Sequence, residues 1–267
     1  NLMDRAIISR TEKEAKEHVI LQNLDTSFQK IDELPFDFER RRMSVIVKDD
    51  SNVVSMVTKG ALEEMLTIST HVEYRGEIIP ITEGIRQEVL AEVGQLNRQG
   101  LRVLGVGYKS GLREDYAYAV TDESDMILTG YLAFLDPPKP SAAPAIQALL
   151  EHGVRTKILT GDNEKVTQAI CEKVGLDVEQ MLLGADIDQM TDQELAEAVE
   201  SVTVFAKLSP DQKARIILQL KKNGHVVGYM GDGINDAPSM KVADVGISVD
   251  TAVDIAKETA DVILLDK

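Results

Sequence analysis

The residues with the clearest chemical character form the loop Gly231-Asp232-Gly233-Ile234-Asn235-Asp236-Ala237-Pro238. An apolar run over residues 226–230 comes directly before it and predicts a buried strand that feeds a tight loop. The two glycines let the backbone turn sharply and approach a ligand closely. The carboxylates of Asp232 and Asp236 are hard oxygen donors of the kind that hold Mg²⁺ together with water and phosphate oxygens. This loop is therefore a candidate magnesium site, and the alternative interpretation is an acidic turn.

A second polar loop follows the predicted strand at residues 156–159. It has the sequence Thr160-Gly161-Asp162-Asn163, in which a hydroxyl and a glycine turn come just before the start of a helix. Backbone N–H groups at such a helix start favour an anion. The loop is therefore a candidate phosphate contact.

A lysine follows a third strand end, after residues 202–206. Ser209 is a good N-cap, Pro210 suits the first helical position, and Gln212 completes a capping box. Lys213 then lies in the first turn, where a cation opposes the helix dipole. This unfavourable placement indicates a phosphate partner, whereas a solvated surface lysine is the default alternative. With the two loops, it predicts a phosphate and Mg²⁺ site along one sheet edge.

The first half of the chain carries aromatic and basic residues that suit a nucleotide. Phe36 and Phe38 come just before three consecutive arginines, Arg40 to Arg42, and Lys59-Gly60 lies at a predicted strand-to-helix turn. An aromatic ring can stack on a base, and cations can meet phosphates. The alternative is a core phenylalanine beside a solvated basic stretch.

Composition excludes several classes of function. The 267 residues carry a formal net charge of −16, without the basic face that nucleic-acid binding needs, so no nucleic-acid partner is expected. Cys171 is the only cysteine, which rules out an internal disulfide. No apolar run reaches the length of a membrane span, so the chain as given is expected to be soluble.

The pattern of predicted elements changes at the proline-rich stretch 136–140, which can continue neither a helix nor a strand. After it, short apolar strands alternate with helices, which is typical of an α/β fold with a doubly wound parallel sheet. Before it, the pattern predicts an α+β domain with an antiparallel sheet. Its predicted strands and helices are strands 41–48, 52–58, 71–74 and 77–80, and helices near 61–68 and 83–99. We expect two domains, residues 1–135 and 136–267.

The order of the three strand-end loops resembles the haloacid dehalogenase superfamily. More narrowly, four segments together resemble the P-type cation-transporting ATPases: residues 136–138, 160–162, 205–213 and 231–238. The resemblance implies that residues 136–267 form a phosphorylation domain. It implies that residues 1–135 form a nucleotide-binding domain inserted into it.

The resemblance also implies roles for individual residues. In the nucleotide domain, the implied ATP contacts are Phe36 stacking on adenine, Lys59 and Gly60 lining the pocket, and Arg41 and Arg102 as basic residues near the nucleotide. In the phosphorylation domain, Asp232 would hold Mg²⁺ and Asp236 would orient that site. Phosphoryl oxygens would be contacted by Lys213 and by the Thr160-Gly161-Asp162 loop, with Asp162 linking the site to the nucleotide domain.

The implied activity is phosphoryl transfer from MgATP to an aspartate, with hydrolysis of the aspartyl-phosphate coupled to cation movement. That aspartate belongs to an Asp-Lys-Thr-Gly motif, which this sequence does not contain; Leu265-Asp266-Lys267 is interpreted as a strand terminus. We therefore expect a piece of a larger pump that is not competent for autophosphorylation by itself. Its partners would be the transmembrane and actuator domains of the same parent chain, at the cytoplasmic face of the cell membrane.

The transported ion is indicated by two segments, residues 35–45 and 132–139, which look most like the bacterial magnesium-importing branch. A proton or calcium pump is the alternative within the family. A soluble dehalogenase-superfamily phosphatase would need an Asp-x-Asp motif near the N-terminus, and none occurs there. A non-catalytic nucleotide-binding module is the third alternative.

Overall fold

A computed structural model describes residues 2–14 and 27–265, so Asp266 and Lys267 of the segment 265–267 lie outside the described residues. The chain divides into two compact units, Asn1–Asp136 and Pro137–Lys267. In the described part, no helix is both long enough and apolar enough to cross a membrane. Both units mix helices and strands, which confirms the α/β class in its broad sense.

The first unit is built around a seven-stranded sheet in the order β1-β2-β3-β6-β7-β4-β5. Its strands are β1 (Phe28–Asp37), β2 (Arg42–Asp49), β3 (Val54–Ala61), β4 (Ser69–Tyr74), β5 (Glu77–Pro80), β6 (Leu101–Ser110) and β7 (Met126–Leu135). Its helices are α1 (Leu2–Glu14), α2 (Leu62–Ile68) and α3 (Glu83–Arg98). The predicted strands correspond to β2–β5 and the predicted helices to α2 and α3. Strands β1, β6 and β7 were not predicted, because charged residues, a proline and glycines interrupt their patterns.

The sheet of the first unit is mixed, so the expected antiparallel sheet was wrong in one pair of strands. Strands β4 and β7 run parallel, whereas every other pairing in this sheet is antiparallel. The cause is the helix α2 between β3 and β4, which returns the chain so that β4 runs in the direction of β3. Two antiparallel steps, from β3 to β6 and from β6 to β7, give β7 that same direction.

Glycines in β6 allow α2 to pack closely on the sheet. A Cβ added at Gly105 would lie 2.9 Å from Leu62 Cδ1 and 3.0 Å from Met65 Cβ. Leu62 and Met65 are fully buried in the cluster that joins α2 to the sheet. Gly105 and Gly107 therefore serve packing.

The second unit contains two three-stranded parallel sheets in the orders β8-β10-β9 and β11-β12-β13. Their strands are β8 (Ile158–Leu159), β9 (Met181–Leu183), β10 (Val204–Ala206), β11 (Gly228–Met230), β12 (Val245–Val249) and β13 (Val262–Leu264). The helices described in this unit are α4 (Ala142–Glu151), α5 (Glu164–Lys173), α6 (Gly184–Gln189), α7 (Asp192–Ser201), α8 (Pro210–Lys222), α9 (Ala237–Val242) and α10 (Asp254–Thr259). The parallel pairing was expected, but one continuous sheet is not present in the described residues.

Each small sheet has its own cluster of buried hydrophobic residues. Phe205 on β10 is fully buried among residues of α6, α7 and α8. Tyr229 on β11 packs in a second cluster with Met240 and Ala256 from the helices that follow. Leu159 and Val227 pack against both clusters, so the two sheets share one hydrophobic interior.

The apolar run before the glycine-rich loop is less buried than its sequence predicts. Only residues 228–230 form the strand β11, and Val226 and Met230 are exposed. The reason is that β11 pairs with β12 alone among the described strands, so its other edge has no neighbour.

Candidate functional site

The hairpin between β1 and β2 determines which face of the sheet Phe36 occupies. Leu34 pairs with Ser44 and Asp37 pairs with Arg42, so β1 contains one extra residue between these pairs. Such a bulge re-aims side chains. Because Asp37 returns to the face of Arg42 and Ser44, Phe36 lies on the opposite face. Its side chain is 50% exposed, so Phe36 is not a core residue.

Lys59 lies on the same face as Phe36. In the pairing of β2 with β3, Met43 is opposite Lys59 and Arg42 is opposite Gly60. Residues alternate between faces along a strand, so Met43 and Lys59 share the face that Arg42 does not occupy. The aromatic candidate and the lysine candidate are therefore both on the more open side of the sheet.

Arg41 and Gly60 are joined by close backbone contacts. Arg41 has a left-handed backbone (φ 49°), its N–H donates to Asp37 O at 2.7 Å, and its carbonyl accepts from Ala61 N at 3.0 Å. A Cβ added at Gly60 would lie 2.5 Å from Arg42 Cβ and 2.7 Å from Arg41 O. The turn therefore rests directly on the end of β3, and only glycine fits there.

Arg102 lies at the same end of the sheet, in β6. The pairing of β3 with β6 ends at Ala61 and Leu104, and Arg102 lies just beyond it, opposite Phe134 of β7. Its guanidinium forms an ion pair with Asp136, with Nη2 and Oδ2 3.5 Å apart. A phosphate at Arg102 would therefore compete with a carboxylate.

The three consecutive arginines are not equivalent. Arg40 Nη1 and Arg42 Nε both donate to Oε2 of Glu123, at 2.5 and 2.8 Å. The Glu123 side chain is fully buried. Sequence reasoning missed Glu123 because it lies more than 80 residues further along the chain and belongs to no local pattern. Arg40 and Arg42 are thus both engaged by the same buried carboxylate.

In the second unit, the loop after β8 is held by the segment that leads into α8. Thr160 N donates to Phe205 O at 3.0 Å, and Leu208 N donates to Thr160 O at 3.0 Å. Lys207 N donates to Asp162 O at 2.8 Å. Asp162 N also donates to Thr160 Oγ1 at 3.1 Å, which leaves the hydroxyl hydrogen able to meet an anion.

Gly161 is exposed at the tip of this loop. A Cβ added there would meet only Leu208 O, at 3.5 Å, which is an ordinary contact. Asn163 caps α5, as its Oδ1 accepts from Val166 N at 3.0 Å. The predicted helix start is confirmed, but packing within the second unit does not require a glycine at position 161.

Lys213 and Asp236 form the centre of the candidate phosphoryl site. Lys213 Nζ donates to Asp236 Oδ1 at 3.0 Å, and the hydroxyl of Tyr229 donates to the same oxygen at 2.7 Å. Gly233 N donates to Asp236 Oδ2 at 3.1 Å. The predicted capping box of Ser209 with Gln212, which positions Lys213 on α8, is confirmed.

Charge and hydrogen bonding keep Asp236 ionised. Burial alone would raise its pKa, but the attraction of Lys213 and the hydrogen bonds from Tyr229, Lys213 and the Gly233 amide outweigh it, so the pKa is lowered. Burial, followed by the proximity of Asp236, raises the pKa of Tyr229, which therefore remains a hydrogen-bond donor. Sequence reasoning missed Tyr229 because it stands inside an apolar run.

Asp232 differs from Asp236 in that its side chain is exposed at the start of the loop. Its backbone carbonyl accepts from Val253 N at 3.1 Å, which fixes the loop against α10. At Gly231 an added Cβ would lie 2.4 Å from Asp236 Cβ, so glycine is required for the loop to fold over that side chain. The loop thus presents one accessible carboxylate and holds a second one in place.

These contacts test whether the residues present fit a magnesium ion. No group of three or more His, Cys, Asp or Glu residues in the described ranges could hold a metal by itself. Mg²⁺ commonly takes only one or two protein carboxylates and completes its shell with water and phosphate oxygens. The exposed Asp232, supported by Asp236, fits that manner of binding.

Comparison with known proteins identifies relatives over the whole chain. A family model described as "P-type ATPase, cytoplasmic domain N" matches residues 1–141. The "Magnesium-transporting ATPase, P-type 1" of Salmonella typhimurium strain LT2 is 50% identical over all 267 residues, and that of Escherichia coli K12 is 49% identical. The "Calcium-transporting ATPase 1" of Bacillus cereus is 35% identical over 91% of the chain. The chain spans 28–29% of the length of these relatives.

Proposed function

The chain belongs to the P-type ATPases, and on that premise we propose that it is the ATP-binding part and most of the phosphorylation part of a cation pump. ATP and Mg²⁺ are its proposed ligands. The observation that carries the proposal is the ion pair of Lys213 with Asp236 beside the exposed Asp232. A cation on α8, the carboxylate that it holds and an open carboxylate in the loop after β11 suit the chemistry of phosphoryl transfer.

The first unit is the proposed nucleotide-binding domain. Phe36 would stack on adenine, since it is half-exposed on the face that also carries Lys59. Lys59 would meet the phosphates, and Gly60 would let the hairpin turn approach. Arg41 and Arg102 lie at the same end of the sheet and would add positive charge.

The second unit is the proposed phosphorylation domain. Lys213 would neutralise the transferring phosphoryl group, while the Thr160 hydroxyl would donate a hydrogen bond to it. Gly161 and Asp162 would shape the loop on the phosphate side. Asp232 would hold Mg²⁺ with Asp236 orienting the site, and the ion would supply further charge neutralisation.

The two parallel sheets of the second unit are proposed to be halves of one doubly wound sheet. Strands β8 and β11 each pair on one side only among the described residues. Leu159 and Val227, at these two strands, pack against both core clusters. A further parallel strand between β8 and β11 would complete the sheet, and we propose that it carries the phosphorylated aspartate in the intact pump.

Magnesium import is the proposed transport function. The relatives named for magnesium transport are 49–50% identical, whereas the one named for calcium transport is 35% identical. Transmembrane and actuator domains of the same parent chain would be the partners, with this part on the cytoplasmic side of the membrane.

One experiment tests the fragment itself. The chain is incubated with Mg²⁺ and ATP labelled at the γ-phosphate, and binding and acid-stable label are both measured. We expect ATP to bind without formation of a phosphoenzyme, because the sequence contains no Asp-Lys-Thr-Gly motif. Substantial acid-stable label on any aspartate would contradict the proposal.

A second experiment tests Asp232 in the intact parent protein. Asp232→Asn keeps the shape of the side chain but removes its charge, so phosphoenzyme formation should fall by on the order of 100-fold. The matched control is Asp254→Asn, because the Asp254 side chain is 94% exposed and pairs only with Lys257 on its own helix. Asp188 is a poorer control, since it accepts from Gln212 beside Lys213. Equal phosphorylation of both variants would remove the assignment of Asp232.

A further inference from the structure

A chain of hydrogen bonds connects the buried Glu123 to the backbone beside Phe36. The guanidinium of Arg40 uses two nitrogens in two directions. Its Nη1 donates to Glu123 Oε2 at 2.5 Å, and its Nη2 donates to Pro35 O at 2.8 Å. Pro35 immediately precedes Phe36 and lies within the bulge that turns the ring to the open face. Arg40 therefore links Glu123 directly to the peptide unit that carries Phe36.

Glu123 is held to the next two strands as well. Its Oε1 accepts from Ser44 Oγ at 2.7 Å, and that hydroxyl lies 2.8 Å from Thr58 Oγ1. Its Oε2 also accepts from Arg42 Nε at 2.8 Å. Ser44 is on β2 and Thr58 is on β3, and both are fully buried. One carboxylate thus connects the β1–β2 hairpin to the covered face of the sheet, opposite the face of Lys59.

The segment that carries Glu123 is itself fixed to the sheet. Glu123 follows a short 3-10 turn, Val120–Asp122, and Lys109 of β6 donates to the carbonyls of Asp122 and Ser124. The backbone on both sides of Glu123 is therefore anchored to β6. Through its side chain, Glu123 can hold the hairpin in a fixed position relative to that strand.

The charges of Glu123, Arg40 and Arg42 also indicate the role of Glu123. Burial alone would raise the pKa of Glu123, but hydrogen bonds from Arg40, Ser44 and Arg42 outweigh it and lower the pKa. Desolvation offsets most of the attraction within a buried ion pair, so such a pair contributes little net stability. The stronger consequence is geometric, because a guanidinium fork fixes the direction of both of its partners.

We propose that Glu123 is a positioning residue of the nucleotide site, which holds Phe36 in its stacking position through Arg40 and turns Arg40 and Arg42 away from the phosphates. This proposal rests on the proposed ATP-binding function of the first unit.

The test compares the affinities of the whole chain for AMP and for ATP, measured by calorimetry. Glu123→Gln removes the charge of the carboxylate, and Arg40→Lys keeps a cation but loses the fork. Because Phe36 would contact the base that both nucleotides share, Arg40→Lys should weaken AMP and ATP by the same factor, and Glu123→Gln should weaken AMP by that factor. That factor should be about tenfold, as expected when contact side chains have to be ordered on binding.

The control variant is Glu114→Gln. Glu114 pairs with Lys48 of the same strand β2 at 2.9 Å, but at the end remote from the hairpin. It should leave both affinities at the wild-type value. Circular dichroism checks that each variant folds. If Glu123→Gln does not fold, the nucleotide affinities of Arg40→Gln are measured instead. That variant leaves one buried positive charge, on Arg42, opposite the negative charge of Glu123.

The outcomes separate this proposal from the proposed function. Loss of affinity for ATP but not for AMP would mean that Arg40 and Arg42 contact phosphates in the wild-type chain, and the positioning role would be wrong. Wild-type affinities in the variants would refute it as well. A wild-type chain that binds neither nucleotide would instead refute the ATP-binding function, and the positioning role with it.

Discussion

Truncation of Phe36 to alanine is the most direct test of the nucleotide site. An aromatic side chain buries about 150–250 Å² when it is fully covered, and Phe36 is 50% exposed. On the order of 100 Å² is therefore available to a base, and at about 25 cal/mol/Å² this corresponds to about 2.5 kcal/mol. Measured base–aromatic stacking contributes about 1–3 kcal/mol, which agrees with that figure.

The expected result is a weaker ATP complex with a nearly unchanged fold. A loss of about 1–3 kcal/mol raises the dissociation constant of ATP roughly 5- to 150-fold. Among its aromatic contacts, the fold should lose the edge-on one with Phe38, whose ring centroid is 5.0 Å away. Such a contact contributes about 0.5–1.5 kcal/mol.

Calorimetric titration with ATP measures the effect, and Phe28→Ala is the matched control. Phe28 is on the same strand and is 48% exposed, but it pairs with Asp49 at the opposite end of β1. The control should bind ATP like the wild type. Equal affinities of the two variants would show that Phe36 does not touch the base, and the reasoning from exposure and register would be wrong.

Three further predictions concern the fold that holds the two sites. Gly231→Ala should destabilise the second unit by roughly 1–3 kcal/mol in urea unfolding, because its Cβ would lie 2.4 Å from Asp236 Cβ. Gly233→Ala is the control and should lower the free energy of unfolding by less, because its added Cβ would lie 3.4 Å from its nearest neighbour, Asp236 Oδ2. Phe205→Ala should cost about 3–5 kcal/mol, because the ring is fully buried, whereas the exposed Ile234→Ala should change stability by about 0.5 kcal/mol or less. The pKa of Glu123 is lowered by folding, so its ionisation stabilises the fold above the ordinary value of 4.5 and ceases to do so as the pH falls through the folded pKa. The difference in unfolding free energy between wild type and Glu123→Gln should therefore shrink below pH 4.5, and a constant difference would contradict this account.

Several local features could be predicted from the sequence because a few neighbouring residues decide them. The capping box that starts α8, at Ser209, forms as predicted, and the one that starts α7, at Thr191, has the same local pattern. Each is completed within three residues, so no distant partner is needed. The parallel pairing of β4 with β7 could not be predicted, because β7 lies more than 50 residues later in the chain.

The sequence by itself determined the membership in a family, the order of the polar loops and the residue types that suit a phosphate and Mg²⁺. Only the tertiary structure decided how those residues are used. The bulge turned Phe36 to the face of Lys59, and Glu123 withdrew Arg40 and Arg42 from the surface. The physical reason is that side-chain direction follows from strand register, and charge pairing follows from burial. Both are set by residues far apart in the chain, so no local pattern encodes them.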